Sequence, residues 1–121
     1  MYTVETDAVR NLILITYGGH VVPADLARGR AKLVAALKTM QPGFRLLTDL
    51  SALDSMEYAC AKEIEATMDL MRKRGVAQVA RVVPDPHKDI GFTVMSFFHH
   101  APETPVVTFE TRAEALLKLL A

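Results

Sequence analysis

The run Leu12-Ile13-Leu14-Ile15 constrains the fold of this chain more than any other feature. All four residues are apolar and two are β-branched, so both faces of the predicted strand are apolar. A strand of this kind belongs inside a sheet that is covered on both sides, which is typical of α/β proteins. The chain has 121 residues, and this length predicts a single domain over residues 1–121.

Turn and cap residues divide the chain into alternating strands and helices. The pair Gly18-Gly19 is predicted to end the apolar strand, Pro23 to open a helix, and Pro42-Gly43 to end that helix. Strands are predicted over residues 3–6, 11–17, 44–47, 76–83 and 104–109. Further helices are predicted from Asp54 or Ser55 to Gly75, from His87 to His100, and after the capping residue Thr111. This order predicts an α/β sandwich with a mixed sheet of about five strands and about four helices.

The charge balance argues against nucleic acid and membrane surfaces as partners. Fourteen basic and fourteen acidic residues give zero formal net charge, so the chain has no overall field that attracts a polyanion. No apolar run approaches the ~20 residues that cross a bilayer, and residues 1–7 lack the basic and apolar regions of a signal peptide. We therefore expect a cytoplasmic protein without a membrane span.

No residue pattern in the sequence predicts catalysis, a metal site or a cofactor. There is no G-x-S-x-G nucleophile motif, and Cys60 lies on the predicted apolar stripe of the long helix with Met56 and Ile64. We interpret Cys60 as a buried core residue, and as the only cysteine it forms no internal disulfide. His99 and His100 point about 100° apart on a helix and lack the H-x-x-x-H spacing of metal ligands.

Two carboxylates flank the predicted loop between a strand and the long helix. Asp49 follows the strand over residues 44–47, and Asp54 stands at the predicted start of the helix. The carboxyl end of a strand is where α/β proteins often place functional residues. The alternative is that Asp49 forms a turn and that Asp54 caps the helix.

The order of elements and three segments of the chain resemble the STAS domain, the fold of bacterial anti-sigma-factor antagonists and of a broader STAS/SEC14-like group. The segments are Asn11-Leu12-Ile13-Leu14-Ile15-Thr16-Tyr17-Gly18, Phe44-Arg45-Leu46-Leu47-Thr48-Asp49-Leu50-Ser51-Ala52-Leu53-Asp54-Ser55 and Val106-Val107-Thr108-Phe109-Glu110-Thr111-Arg112-Ala113-Glu114-Ala115-Leu116. The resemblance implies a STAS-like fold over nearly the whole chain and a regulatory loop that precedes the second helix.

In antagonists of this type the loop reads roughly D-x-S-x-x-x-x-D-S-S-G-L-G, and its second adjoining serine accepts phosphate from a partner kinase. Here Asp54-Ser55 matches the Asp-Ser pair, but Met56 stands in place of the acceptor, and Glu57-Tyr58 replaces Gly-Leu. The resemblance therefore implies a regulatory loop with an altered acceptor position. Its residues are Asp49, Ser51, Asp54 and Ser55, of which the two serines are the remaining candidate phosphate acceptors.

The resemblance implies a non-enzymatic regulatory or protein-binding domain, whose protein partner can be a second copy of the chain. The alternative is a carrier of a small apolar ligand or lipid, which the SEC14-like side of the resemblance implies. The adaptable methionines that favour this alternative are Met56, Met68, Met71 and Met95. An internal pocket would indicate the carrier, and an exposed apolar patch would indicate the protein-binding domain.

On the predicted helix from His87 to His100, a step of 100° per residue separates one aromatic residue from the core side. The predicted core side holds Ile90, Val94, Phe97 and Phe98. Phe92 falls on the opposite side with Ser96 and His99, and an aromatic residue flanked by polar groups is typical of an interface. We expect these three residues, with Met56, to contact a partner or a second copy of the chain. The alternative is that a loop covers Phe92 or that the helix begins late.

Overall fold

The computed structural model describes residues 1–85, 94, 97–98 and 104–121. Within these residues, five strands form one sheet, in the order in which they occur in the chain. The strands are β1 (Tyr2–Asp7), β2 (Leu12–Val21), β3 (Arg45–Met56), β4 (Gln78–Val82) and β5 (Val106–Phe109). β1 pairs antiparallel with β2, and the other neighbouring strands are parallel. This mixed sheet confirms the predicted α/β fold.

Three helices in the described part of the chain cover the sheet. They are α1 (Pro23–Lys38), α2 (Cys60–Lys73) and α3 (Arg112–Leu120). The fourth predicted helix, over residues 87–100, falls mostly outside the described residues, as do Ile90 and Phe92. Val94, Phe97 and Phe98 are described, and all three are buried, as the predicted core side requires.

The apolar run of β2 contributes to two separate hydrophobic clusters, one on each face of the sheet. Ile13 and Ile15 belong to the larger cluster, which includes Leu33 of α1 and Ile64 of α2. The smaller cluster lies under α3, and its buried members are Leu12, Leu47, Ala80, Val82, Ala115 and Leu119. Full burial of one such aliphatic side chain contributes about 1.5–3 kcal/mol. The run therefore stabilises both layers of helices against the sheet.

β2 does not end at Gly18-Gly19, and this corrects the prediction from the sequence. The strand continues to Val21, which is paired with Met56 of β3. Gly19 has a φ of 63°, in the left-handed region that glycine adopts without the steric cost incurred by other residues. Pairing with β3 supplies backbone hydrogen bonds that outweigh the local tendency of two glycines to form a turn.

β3 is much longer than predicted and contains the segment that the sequence assigned to a loop. The strand extends to Met56, so residues 49–55 are extended, and α2 begins at Cys60 rather than at Asp54 or Ser55. Asp and Ser favour a helix start where local contacts alone determine the backbone conformation. Here the parallel pairing with β2 keeps these residues in the sheet.

Three residues that were predicted to start or end a helix do so in the structure. α1 begins at Pro23, and the Asp25 carboxylate accepts a backbone hydrogen bond at 3.0 Å, which lowers the pKa of Asp25. Gly75, with a φ of 90°, follows the end of α2. The side chain of Thr111 caps α3.

Candidate functional site

The carboxyl ends of β2 and β3 bring His20 beside Ser55. The two residues are partners in the parallel register, and His20 Nδ1 lies 2.5 Å from Ser55 Oγ. The other ring nitrogen, Nε2, lies 3.9 Å from Glu57 Oε1. The side chains of His20 and Glu57 are 56% and 51% exposed. A hydroxyl, an imidazole and a carboxylate thus form a row at the surface, and we call these three residues the Ser55 cluster.

Asp49, the first residue of the predicted loop, is buried in β3. Its Oδ1 accepts hydrogen bonds from the Ser51 amide at 2.9 Å and from the Ser51 hydroxyl at 2.6 Å. The Arg112 guanidinium of α3 lies 3.6 Å from Asp49 Oδ2 and 3.4 Å from the Glu5 carboxylate of β1. The buried carboxylate therefore has both hydrogen-bond donors and a cation, which offset the cost of removing it from water.

The hydrogen bonds between Asp49 and Ser51 lie at a bulge in β3. From Thr16 to Gly18, β2 advances by two residues, whereas the paired segment of β3 advances by three, from Asp49 to Ala52. An extra residue on one strand bends that strand and changes which side chains face each side of the sheet. The Asp49 carboxylate is therefore hydrogen-bonded to a residue two positions further along the same strand, at the bulge.

The residues predicted for the regulatory loop have different environments. Asp49 is buried, Ser55 is half-buried, and Ser51 and Asp54 are exposed. Met56, predicted to contact a partner, is half-buried and packs against the larger hydrophobic cluster. The exposed residues of the segment are Ser51, Ala52 and Asp54.

Three further residues were predicted to contact a partner, namely Phe92, Ser96 and His99. All three lie outside the described residues. Their contact with a partner or a second copy of the chain stays a prediction.

Tyr58 lies in the turn between β3 and α2 and is 79% exposed. Its ring meets the ring of Phe97 edge to face, with centroids 5.7 Å apart and planes at 81°. An edge-to-face contact of this kind restrains one side of an aromatic ring. The opposite side of Tyr58 remains open for contact with another molecule.

Three residues in this region have roles that were not predicted from the sequence: His20, Tyr58 and Arg112. Each one acquires its role from a residue that is distant in the chain. A local signal existed for Tyr58 alone, since an aromatic residue beside an acidic one at a predicted helix start is a candidate surface anchor.

Cys60 is fully buried at the start of α2, as predicted. Its Sγ lies 3.6 Å from the Val21 carbonyl oxygen. Burial and the nearby Glu57 carboxylate raise the pKa of the Cys60 thiol to about 11, so the thiol stays protonated at neutral pH. Among the described residues, no three His, Cys, Asp or Glu side chains are grouped to hold a metal ion.

Two cavities border the part of the sheet that the structure describes. An open cleft of about 490 Å³ is lined by Ser51, Val83, Pro84, Asp85, Glu110 and Thr111. A smaller cavity of about 20 Å³ has Tyr17, Met68 and Met71 among its lining residues. Pockets for small molecules usually measure about 300–1,000 Å³, a range that includes the open cleft. The smaller cavity has room for about one water molecule.

No protein-family model matches the sequence, and no curated protein matches it. Solved structures do share the fold. An uncharacterised protein of the DUF3478 family with a SpoIIAA-like fold, from Shewanella loihica PV-4, has a TM-score of 0.65 and 19% identity, covering 98% of this chain and 92% of that chain. The anti-sigma factor antagonist SpoIIAA in its unphosphorylated form has a TM-score of 0.65 and 16% identity, covering 98% of this chain and 96% of that chain.

The chain therefore has a SpoIIAA-like fold, which is the STAS-like α/β domain that the sequence predicted. Identities of 16% and 19% establish the shared architecture, whereas function depends on the residues of the site. None of the helices in the described ranges is long and apolar enough to cross a membrane.

Proposed function

We propose that this domain is a non-enzymatic regulatory domain that binds a protein partner where β3 turns into α2. The binding surface consists of His20, Asp54, Ser55, Glu57 and Tyr58. The observation that carries the proposal is Tyr58, a large aromatic side chain that is 79% exposed beside an acidic residue. Tyrosines that are surrounded by polar groups are typical of the residues that contribute most to protein interfaces.

The backbone holds Tyr58 in place before any partner binds. The Glu57 amide donates to the Val21 carbonyl oxygen at 3.0 Å, and the Cys60 amide donates to the Glu57 carbonyl oxygen at 3.0 Å. The ring is also restrained by Phe97. An anchor that is already ordered loses little conformational entropy on binding, so more of its contact energy contributes to affinity.

The charges around Tyr58 indicate the chemistry of the partner. Glu57 is exposed and adds a negative charge to the binding surface. A complementary surface would place basic groups around an apolar recess that receives the tyrosine ring. We therefore propose a basic protein surface as the partner.

This mode of binding does not require phosphorylation. Ser51 Oγ donates a hydrogen bond to the Asp49 carboxylate at 2.6 Å. Ser55 contacts one ring nitrogen of His20, and the other ring nitrogen faces the Glu57 carboxylate. A phosphate on either serine would be repelled by the neighbouring carboxylate. Phosphopeptide analysis of protein purified from its own cell tests this point, and phosphate on one of these serines in most molecules would contradict it.

Two features from the sequence remain part of the proposal. The partner can be a second copy of the chain, with Phe92 in the contact, and the location is the cytoplasm. A carrier of a small apolar ligand remains the alternative: the cavity of about 20 Å³ is too small for such a ligand, whereas the open cleft of about 490 Å³ is not. Native mass spectrometry of protein from its own cell measures both the oligomeric state and any bound small molecule.

The binding surface is tested by recovery of partners with tagged protein expressed in its own cell. Tyr58→Ala should reduce the recovery of the specific partner by about tenfold or more, which corresponds to about 1.4 kcal/mol. Leu117→Ala is a matched control, because Leu117 of α3 is 74% exposed. Equal recovery with the wild type and with Tyr58→Ala would contradict the proposal.

A further inference from the structure

The Ser55 cluster has an arrangement that protein binding alone does not require. The hydroxyl of Ser55, the imidazole of His20 and the carboxylate of Glu57 stand in sequence, with contacts of 2.5 Å and 3.9 Å. A nucleophile, a base and a carboxylate in this order are the parts that activate serine hydroxyls.

The contact between Ser55 and His20 directs the serine proton toward the histidine. In the tautomer that carries its proton on Nε2, the nitrogen that faces Glu57, His20 Nδ1 accepts the Ser55 hydroxyl proton across the 2.5 Å contact. When His20 takes the serine proton, the ring becomes positively charged. The Glu57 carboxylate, 3.9 Å from Nε2, stabilises that charge.

The sheet holds these three groups in position. His20 and Ser55 are direct partners in the ladder between β2 and β3, and the next pair is Val21 with Met56. The Glu57 amide donates to the Val21 carbonyl oxygen at 3.0 Å, which fixes the first residue after β3. Groups that are placed by strands hold their relative geometry more closely than groups on long loops.

We infer that Ser55 is a covalent modification site that takes an acyl group from an activated carboxylic ester or thioester, with His20 as its general base. Ser55 Oγ forms a bond to the carbonyl carbon, and the bond from that carbon to the alcohol or thiol breaks. The Ser55 proton passes to His20 Nδ1 and then to the departing alkoxide or thiolate. The products are an acyl-serine and a free alcohol or thiol.

The charges at the site favour an uncharged acyl donor. The Glu57 carboxylate lies 3.9 Å from His20 Nε2. This carboxylate repels polyanionic donors such as nucleoside triphosphates but does not repel a neutral ester. The resulting acyl group would lie on the surface that we propose for protein binding.

The inference is tested by incubating the purified protein with p-nitrophenyl acetate and locating the acetyl groups by tandem mass spectrometry. Ser51, an exposed serine of the same strand, is the internal control. We expect Ser55 to be acetylated about 10²-fold faster than Ser51, which is the usual scale of general-base catalysis. His20→Gln keeps a polar side chain but removes the base, and it should slow acetylation of Ser55 by a similar factor.

Two results would overturn the inference: equal acetylation of Ser51 and Ser55 in the wild type, or an unchanged rate at Ser55 in His20→Gln. The first comparison uses one folded protein and needs no variant. Thermal melts show whether His20→Gln retains the fold, which the exposure of His20 leads us to expect. Acetylation of the isolated protein tests this inference, whereas recovery of partners tests the proposed binding function, so the two fail independently.

Discussion

Arg112 Nη1 lies 3.6 Å from Oδ2 of Asp49 and links the first residue of α3 to the middle of β3. The side chain of Asp49 is 6% exposed, whereas that of Arg112 is 38% exposed. The Arg112 guanidinium therefore extends from the surface to a carboxylate that is almost fully buried. This contact joins the helix over the smaller hydrophobic cluster to the strand that carries Ser51 and Ser55.

Removal of this cation should destabilise the fold. Arg112→Ala leaves the buried carboxylate of Asp49 with the Ser51 donors but without a countercharge, and we expect a loss of about 1–3 kcal/mol in the free energy of unfolding. Urea denaturation at neutral pH measures this loss. Glu5→Gln is the control, because it removes an exposed partner of Arg112 and should cost less than about 1 kcal/mol. Equal losses in the two variants would show that the buried carboxylate does not need Arg112.

The stability of the protein should fall at alkaline pH through Cys60. Its thiol has a pKa of about 11 in the folded chain, against 9.0 for an ordinary thiol. The unfolded chain loses this proton at lower pH than the folded chain does, so unfolding becomes easier as the pH rises between these values. The contribution is fully present below about pH 9 and lost by about pH 11.

Urea denaturation of the wild type and of Cys60→Ala over this pH range separates this contribution from that of the tyrosines. The variant should show a smaller decline with pH, although its stability at neutral pH is lower because a cavity is created. An identical decline in both proteins would contradict the assignment to Cys60. At neutral pH the native thiol should also react much more slowly with a thiol reagent than the unfolded thiol does.

A methyl group at Gly29 should destabilise the packing of α1 on β1. A Cβ at this position would lie 2.1 Å from the ring of Tyr2, far inside van der Waals contact. Alanine favours a helix over glycine by about 1 kcal/mol, but overpacking of this kind usually costs about 1–3 kcal/mol. Thermal melts should show a lower Tm for Gly29→Ala. In a Tyr2→Ala background the same substitution should raise the Tm, and a fall there would rule out the ring as the cause.

Phe97 and Tyr58 are in contact, but Phe97 is a core residue and Tyr58 is a surface residue. Phe97 is 7% exposed and Tyr58 is 79% exposed. We expect Phe97→Ala to lower the free energy of unfolding by about 3–5 kcal/mol. Tyr58→Ala should cost about 1 kcal/mol, because it loses mainly the ring contact. Thermal melts of both variants decide this, and a larger loss for Tyr58→Ala would contradict the placement of Phe97 in the core.

Phe92→Ala tests the predicted contact of Phe92 with a partner or a second copy of the chain. Phe92 lies outside the described residues. We expect this substitution to weaken self-association or partner binding without unfolding the domain. Sedimentation compares the association of the wild type and the variant, and a thermal melt reports the fold. Unchanged association would remove Phe92 from the interface.

Local sequence was sufficient for the features that depend on short-range chemistry. The run from Leu12 to Ile15 is buried on both faces, and Cys60 lies in the core. Pro23 and Thr111 stand at helix starts, as predicted. Such residues could be recognised in the sequence because they stabilise a helix start through the next few residues alone. These features correctly predicted the order of the described strands and helices, and the STAS-like fold followed from that order together with the family resemblance.

The extent of β3 and the candidate site depend on tertiary structure. His20 and Ser55 are 35 residues apart in the chain, and they meet because the register between β2 and β3 shifts twice, between Thr16 and Gly18 and between Gly19 and His20. Local propensity favours a turn at Gly18-Gly19 and a helix start at Asp54. The hydrogen bonds between the two strands satisfy the backbone in extended form, and this long-range pairing overrides the local preference at both places.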